Sequence, residues 1–377
     1  MPPHRQSSKV IAKPGGRVDA LDLLRLLAVA AVVLYHFGFN GPTSNGTTYV
    51  ALPGLGAFAQ YGYLGVQLFF VVSGFVIAFS AQGRTASEFF IARVSRIYPA
   101  FLFCMTLTFL ATLAFGGEVF HVTAKQFLGN LLIAAPAVAQ PYVDLVYWTL
   151  ILELTFYSWI FVLMLAGQMR KPPIAIIVVW LLVSVLNEMA IGSHVLTKIL
   201  LTDQSGFFAT GVMLYALSEG RRDATAQAVL GLAAVTAVLQ GILNARLLSA
   251  KLGVVFDPTI VAAICGSIIV LAVFAVRARS TLLPASLALA VGGMTYPLYL
   301  FHHQIGYVAY QRLDGGQHSV AIVSGNLLTL VATSLVIWRF VDRPGQRLMK
   351  RLLTRAVARI DWESLTLRRK ALFSLPK

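Results

Sequence analysis

The most regular feature of the chain is a series of ten apolar stretches separated by short polar segments. Each stretch approaches the roughly 20 residues that an α-helix needs to cross about 30 Å of hydrocarbon. Residues 124–138 are also apolar but form a shorter segment, which is predicted to be a re-entrant or interfacial helix. The fold is therefore predicted to be all-α and polytopic, with about ten transmembrane helices. The predicted spans are residues 20–39, 61–81, 98–115, 146–166, 173–190, 199–218, 225–245, 258–276, 286–308 and 319–338.

Composition supports a membrane protein, because 58% of the residues are hydrophobic and only 12% are charged. Soluble domains contain roughly 45–50% apolar and roughly 25% charged residues. A soluble fold could not bury this much apolar surface, so lipid is expected to solvate much of it. The two cysteines, Cys104 and Cys265, lie inside apolar runs. Neither a structural disulfide nor a metal site is expected from them.

The positive charge lies in the short segments between the apolar stretches and in the C-terminal tail. A formal net charge of +15 would suggest a nucleic-acid partner in a soluble protein. Here 24 of the 30 lysines and arginines fall on one side of the membrane when both termini are placed in the cytoplasm. This asymmetry follows the positive-inside rule. We therefore expect cytoplasmic termini, contacts with anionic membrane lipids and no nucleic-acid partner.

Three regions are predicted along the chain: a cytoplasmic tail over 1–18, a transmembrane domain over 19–344 and a basic cytoplasmic tail over 345–377. The spacing of leucines in the C-terminal tail is typical of an amphipathic helix that lies on the inner leaflet. This tail is too short for an appended catalytic domain, so any chemistry is expected to come from the membrane domain.

The first predicted helix contains ionisable residues that are costly inside a membrane, at least roughly 2.5–3.5 kcal/mol each near mid-helix. Asp22 and Arg25 are three residues apart and can pair on one helix face. Arg25 and His36 share a face as well, because eleven residues make almost three full turns, with a rise of roughly 16 Å. These residues indicate a polar internal site, and the alternative is a capped helix end with a hydrogen-bonded histidine.

Six segments follow one another along the chain: RVDALDLLRLLAVAAVVLYHF, GYLGVQLFFVVSGFVIAFS, FFIARVSRIYPAF, YWTLILELTFYSWIF, YPLYLFHHQIGY and FVDRP. In this order they resemble the motifs of the acyltransferase-3 family, over about Arg17 to Pro344. The resemblance implies a multi-pass protein of the bacterial cytoplasmic (inner) membrane, without a fused extracytoplasmic hydrolase-like domain. It implies an acyltransferase, mostly an O-acetyltransferase of surface or exported polysaccharides, that takes acetyl-CoA or another short acyl-CoA as donor.

The resemblance also implies that Arg25 and His36 are the family's Arg-x10-His pair. Histidine suits a general base for a sugar hydroxyl because it titrates near neutral pH. The acceptor is then the hydroxyl of a glycan or glycolipid, and the choice between direct attack and an acyl-histidine stays open.

Arg93 and Arg96 resemble the family's RxxR motif, at the cytoplasmic entry to the third predicted span. Two guanidinium groups on one helix face suit the phosphates of coenzyme A, since arginine binds phosphate through two parallel hydrogen bonds. The alternative is an ordinary positive-inside flank whose side chains reach the lipid headgroups.

Five residues are predicted near the substrates. Glu153 is expected at a depth similar to that of His36, where it could orient the imidazole or hold acceptor hydroxyls. It could instead be a structural carboxylate paired with Arg25 or with a tyrosine. Asp22, Trp148, Tyr296 and His302 are the predicted substrate-binding residues, with aromatic packing as the alternative for the tyrosine.

A transporter or flippase of a glycan or lipid-linked substrate is the alternative function, because many spans with buried charges also fit that class. Transporters commonly show internal repeats and paired broken helices. The two halves of this sequence show neither, so an acyltransferase is favoured. The sequence does not indicate which glycan is the acceptor or which oligomer forms.

Overall fold

A computed structural model of the chain describes residues 19–41, 54–169, 173–278, 283–313 and 320–358. All regular structure in these residues is helical. Ten long helices correspond to the ten predicted spans, and an eleventh follows them. They are α1 (Asp19–Tyr35), α2 (Gly65–Ala81), α3 (Ala86–Phe115), α4 (Trp148–Leu165), α5 (Ile174–Leu186), α6 (Ser205–Ser218), α7 (Ala224–Leu252), α8 (Pro258–Arg277), α9 (Ala285–Leu313), α10 (Val320–Ile337) and α11 (Arg343–Ala358).

Eight helical segments of the described residues are long and apolar enough to cross a membrane, which confirms an all-α, polytopic membrane protein. They contain α1 to α5, α7, α8 and α10. Two of the ten predicted spans, those that form α6 and α9, do not meet this measure of length and hydropathy. The span predicted at 199–218 yields a helix of only 14 residues, Ser205–Ser218, or about 21 Å. A turn interrupts the apolar run, and Leu201 in it has a positive φ of 54°.

The other predicted span outside the eight is α9, which has 29 residues and contains Pro297. Its tyrosines, glycines and two histidines lower its hydropathy, and most of those side chains are buried inside the bundle. The short segment predicted at 124–138 forms an α-helix over Ala124–Asn130 and a 3-10 turn over Ala135–Val138. Both pieces are too short to cross a membrane.

The centre of the bundle is the close crossing of α2 and α6. A Cβ added at Gly74 would lie 2.2 Å from the carbonyl oxygen of Phe208, and one added at Gly211 would lie 2.1 Å from that of Val71. The two backbones touch because each helix presents a glycine at the contact, as small residues commonly do between membrane helices.

Around this centre, α1 packs against α2 and α9, and α9 also packs against α3 and α10. The chain leaves α1 through a π-helical segment, His36–Asn40, and α10 continues into another, Trp338–Asp342. Single π-helical turns are frequent at functional sites because they change the direction of one side chain within a continuous helix. His36 is the first residue of the π-helical segment that follows α1.

Helix α11 lies along α3 at one end of the bundle. A Cβ added at Gly345 would meet the ring of Pro99 at 2.7 Å, so the glycine permits the contact. None of its residues is buried, and Leu348 and Leu352 are exposed. Residues 343–358 of the predicted amphipathic tail are therefore a helix with exposed apolar side chains. The N-terminal tail over 1–18 and the rest of the C-terminal tail, 359–377, lie outside the described residues.

Candidate active site

A cavity of about 110 Å³ lies between α1, α2, α3, α4 and α9. We call it the arginine cavity, because three arginines line it beside one carboxylate. Its polar lining residues are Arg25, Ser73, Arg93, Arg96, Thr149, Glu153, Tyr157, Thr295, Tyr296 and Tyr299. The lining therefore contains more guanidinium groups than carboxylates, a composition that suits an anionic ligand.

The predicted pairing of Arg25 with Asp22 is present, since Nη1 of Arg25 lies 3.0 Å from Oδ1 of Asp22. Glu153 lies in the same cavity, where it accepts a hydrogen bond of 3.1 Å from the hydroxyl of Tyr157. Both carboxylates are therefore held by neighbours on their own helices, one turn away. Glu153 lines the arginine cavity itself, whereas Asp22 reaches it only through its salt bridge to Arg25.

The two arginines of α3 differ in how they are held. Nη1 of Arg96 lies 3.2 Å from Oδ2 of Asp342, and its guanidinium lies 5.0 Å from the ring centre of Tyr296. The Tyr296 hydroxyl donates to the carbonyl of Ile97 at 3.2 Å. Arg93, in contrast, has a buried Nε without a hydrogen-bond partner among the described residues. Of these two arginines, Arg93 is the one with a buried N–H donor, at Nε, that lacks a partner.

A second cavity, of about 430 Å³, adjoins the first and shares Arg25 and Arg96 with it. We call it the Trp338 cavity. Asp22, Glu219, Asp342 and Arg343 add charged groups to its wall. Because both cavities use the same two arginines, a long ligand can occupy them in sequence, with the arginines at the junction.

His36 lies in a separate cluster of three imidazoles, the histidine cluster. The ring centre of His36 lies 4.4 Å from that of His303 and 5.3 Å from that of His302. Nδ1 of His302 lies 3.1 Å from the carbonyl oxygen of Leu298 and 2.9 Å from that of Tyr299. Carbonyl oxygens only accept, so this nitrogen carries a hydrogen and, in neutral His302, Nε2 carries a lone pair.

Two imidazole nitrogens of this cluster are buried without a partner in the part of the chain that the structure describes. They are Nδ1 of His36 and Nε2 of His302. A buried polar atom with no hydrogen bond costs roughly 1–3 kcal/mol, and natural proteins keep such atoms mainly where a ligand or water completes them. The histidine cluster is therefore suited to bind and move a proton.

Asp144 is the carboxylate of the histidine cluster. It is fully buried, and it caps the 3-10 turn Leu145–Tyr147 by accepting from the backbone N–H of Val146 at 3.3 Å. Oδ1 also lies 3.1 Å from Nδ1 of His303, and Oδ2 accepts from the backbone N–H of Gln304 at 3.0 Å. Asp144 thus ties the segment before α4 to the middle of α9.

Tyr299 separates the arginine cavity from the histidine cluster. It lines the cavity, and its ring centre lies 5.8 Å from that of His302. The hydroxyls of Tyr299 and Thr149 lie 2.8 Å apart, and both reach the carbonyl oxygen of Val146. A single aromatic ring, hydrogen-bonded to Thr149 of α4, therefore stands between the arginine cavity and the histidine cluster.

Two predicted site residues, Glu153 and Trp148, lie on different faces of α4. Glu153 does not join the histidines: its hydrogen bond is to Tyr157 and it faces the arginine cavity, which matches the alternative of a carboxylate paired with a tyrosine. Trp148 lines neither cavity, and its side chain is 40% exposed on the outside of the bundle. It precedes Thr149 on α4, so the two side chains point in different directions.

The remaining predicted residues lie in three places. Arg25, Arg93, Arg96 and Tyr296 line the arginine cavity, and Asp22 lines the Trp338 cavity. His36 and His302 form the histidine cluster with His303. The residues that sequence reasoning missed are Asp144 and His303, although an aspartate and a second histidine in apolar surroundings were a visible signal.

The model of the acyltransferase-3 family, which describes an acyltransferase domain, matches residues 18–339. Nodulation protein 10 from Rhizobium leguminosarum bv. viciae is 30% identical over 165 residues, which cover 38% of this chain and 43% of that protein. The putative peptidoglycan O-acetyltransferase YrhL from Bacillus subtilis (strain 168) is 27% identical over 121 residues, covering 30% and 16%. The O-acetyltransferase OatA from Staphylococcus aureus (strain NCTC 8325 / PS 47) is 25% identical over 372 aligned residues, covering 87% and 57%.

No solved structure matches the chain significantly. The matches span less than two thirds of the length of each of these relatives, so the activities in their names are stated of those proteins alone. The family match, in contrast, covers most of the chain and contains both arginine motifs and all three clustered histidines. The chain belongs to the acyltransferase-3 family of membrane acyltransferases.

Proposed function

We propose that this protein transfers an acetyl group from cytoplasmic acetyl-CoA to a hydroxyl of an exported or cell-surface glycan, with His36 as the general base. The observation that carries this proposal is that three sites adjoin one another in turn. The Trp338 cavity meets the arginine cavity at Arg25 and Arg96, and the arginine cavity meets the histidine cluster at Tyr299.

The orientation rests on charge. The basic segments of the chain lie on the side where α3 begins and α10 ends, so this side is cytoplasmic under the positive-inside rule. Coenzyme A carries several phosphate charges and is a cytoplasmic metabolite. The guanidinium groups of Arg93 and Arg25 bind these phosphates in this proposal. Arg93 has a buried Nε–H without a partner among the described residues, whereas Arg96 forms a salt bridge with Asp342.

The reaction itself balances within this arrangement. The acceptor oxygen attacks the thioester carbonyl, a C–O bond forms and the C–S bond breaks. His36 takes the hydroxyl proton as the oxygen attacks, which avoids a free alkoxide, and returns it to the leaving thiolate. The products are an acetyl ester and coenzyme A with its thiol, and the histidine is regenerated.

The acceptor class rests on the relatives. One of them is named a putative peptidoglycan O-acetyltransferase, and others are named O-acetyltransferases. Muropeptides, the soluble fragments of peptidoglycan, are therefore the first acceptors to test. The bacterial origin of these relatives supports the cytoplasmic membrane of a bacterium as the location of the enzyme.

The test is acetyl transfer by membrane vesicles that contain the full chain, with labelled acetyl-CoA and muropeptides. The wild type is expected to release coenzyme A and label the acceptor. His36→Ala is expected to lower transfer by about 10²- to 10⁴-fold, the range for loss of a general base, at equal protein content. Undiminished transfer by His36→Ala would contradict the assignment of the base. A transporter would release no coenzyme A in either vesicle.

A further inference from the structure

The pair formed by Asp144 and His303 is not explained by the proposed reaction, which uses His36 and the arginines. Asp144 is completely buried and ionisable, in a segment between apolar helices. A buried carboxylate is retained only where hydrogen bonds or a cation compensate its desolvation. Three donors do so here: the backbone N–H groups of Val146 and Gln304, and Nδ1 of His303.

These contacts fix the state of the His303 ring. A carboxylate oxygen accepts from Nδ1, so Nδ1 carries a hydrogen and Nε2 is the nitrogen left for other partners. The ring cannot turn without losing the bond to Asp144, and it also lies against Tyr307, with ring centres 4.5 Å apart. The hydroxyl of Tyr307 donates to the backbone carbonyl of His36 at 3.0 Å. His303 and the His36 backbone are thus held by one set of contacts.

The ionisable side chains around His303 come from three elements. His36 lies on the π-helical end of α1, Asp144 on the turn before α4, and His302 and Tyr307 on α9 itself. Asp144 is the one acidic residue of this group. When His36 takes up a proton, the nearest negative charge is therefore reached through His303, whose ring centre lies 4.4 Å away.

We propose that Asp144 and His303 are positioning residues for His36. Asp144 holds His303 against His36, and its negative charge stabilises the imidazolium that forms when His36 accepts the acceptor's proton. The arrangement extends the logic of a carboxylate that orients a catalytic histidine, with a second imidazole inserted between them. This inference rests on the proposed acetyl transfer and adds two residues to its site.

The test compares three variants of the full chain in membrane vesicles, with labelled acetyl-CoA and muropeptides. Asp144→Asn keeps the shape of the side chain and removes its charge. His303→Gln keeps an amide donor for Asp144 and removes the imidazole. His194→Gln is the matched control, since this histidine is exposed on the short helix His194–Leu200, away from both cavities. The protein content of each vesicle is measured, so that all rates refer to folded protein.

Both site variants are expected to lower kcat by about 10²- to 10⁴-fold, the range of acid–base catalysis, with KM for acetyl-CoA unchanged. In Asp144→Asn, the acid limb of the kcat profile moves to lower pH, because the negative charge that favours a protonated imidazole is gone. His194→Gln behaves as the wild type.

Wild-type kcat and an unmoved acid limb in both site variants would overturn the inference, as would a loss confined to the amount of folded protein. That failure is separate from failure of the proposed function. If the wild type releases coenzyme A and His36→Ala does not, while His303→Gln and Asp144→Asn remain fully active, only the positioning role is wrong. If the wild type releases no coenzyme A, the proposed transfer and this role both fail.

Discussion

The arginine cavity and the histidine cluster are neighbours that differ in the kind of ionisable group they contain. The cavity holds open space among three arginines, and salt bridges fix two of them, Arg25 and Arg96. The cluster holds three imidazoles ring against ring, around one buried carboxylate. Permanent charges suit the binding of an anion, whereas imidazoles suit the gain and loss of a proton. Under the proposed function, this difference divides donor binding and proton transfer between two places, with Tyr299 between them.

Among the substitutions that distinguish the two regions, we expect the largest change in activity at His302, in the histidine cluster. Its Nε2 is unpartnered among the described residues, so His302→Gln removes an imidazole without breaking a salt bridge. We expect kcat to fall by about 10²-fold or more, as for other acid–base groups, with KM for acetyl-CoA unchanged. Steady-state kinetics in vesicles measure both. A higher KM with normal kcat would place His302 in the binding region instead.

The next effect lies on the arginine side. Arg93→Gln removes one charged donor from the arginine cavity, and hydrogen bonds to charged groups contribute about 1.5–3 kcal/mol. We expect KM for acetyl-CoA to rise by roughly 10- to 100-fold, with little change in kcat. Arg84→Gln is the control on the same flank, since Arg84 is exposed and bonds Ser80. If Arg93→Gln and Arg84→Gln changed KM by the same factor, Arg93 would be only one of the positive charges at the cytoplasmic end of α3.

A structural substitution can test whether the cavity depends on the α2–α6 crossing. Gly74→Ala places a methyl group 2.2 Å from the carbonyl oxygen of Phe208, and overpacking of this kind costs roughly 1–3 kcal/mol. We expect a lower unfolding temperature in detergent and a higher KM for acetyl-CoA, because Ser73 beside it lines the arginine cavity. Gly266→Ala, in α8, meets no atom within 4 Å and is the matched control. Equal unfolding temperatures for Gly74→Ala and Gly266→Ala would show that the α2–α6 contact accommodates the added methyl group without loss of stability.

The smallest expected effect is at the boundary of the two regions. Thr149→Val removes the hydroxyl that lies 2.8 Å from that of Tyr299. A neutral hydrogen bond contributes about 0.5–1.5 kcal/mol, so a roughly 2- to 10-fold fall in kcat is expected, at unchanged KM. Tyr299→Phe should give an effect of the same size, because it breaks the same contact. A large effect on KM would mean that Tyr299 binds the donor rather than positioning the histidines.

The residues that the sequence predicted well are those linked by local geometry or by the family's motifs. The pairing of Asp22 with Arg25 follows from a spacing of three residues in a helix, and the structure shows it. Arg93 and Arg96 share one cavity for the same reason. The helices themselves follow from hydropathy, because membrane-spanning segments must satisfy their backbone hydrogen bonds internally.

The residues that were missed or misplaced depend on contacts between distant parts of the chain. Asp144 and His303 are 159 residues apart, and no periodic pattern connects them. Glu153 was placed by its depth in the membrane, but depth does not give the direction of a side chain around its helix. Thr149 and Glu153 lie on one face of α4, four residues apart, and that face meets the arginine cavity. Only the packing of α4 against α2 and α3 decides this.

The central claim, that the arginine cavity binds the donor and the histidine cluster performs the transfer, is tested most directly by equilibrium binding of acetyl-CoA. Binding is measured to the purified wild type, His36→Ala and Arg93→Gln in nanodiscs. The account predicts that His36→Ala binds acetyl-CoA with the wild-type Kd although it does not transfer the acetyl group, and that Arg93→Gln binds it more weakly. Weakened binding in His36→Ala together with wild-type binding in Arg93→Gln would contradict the account.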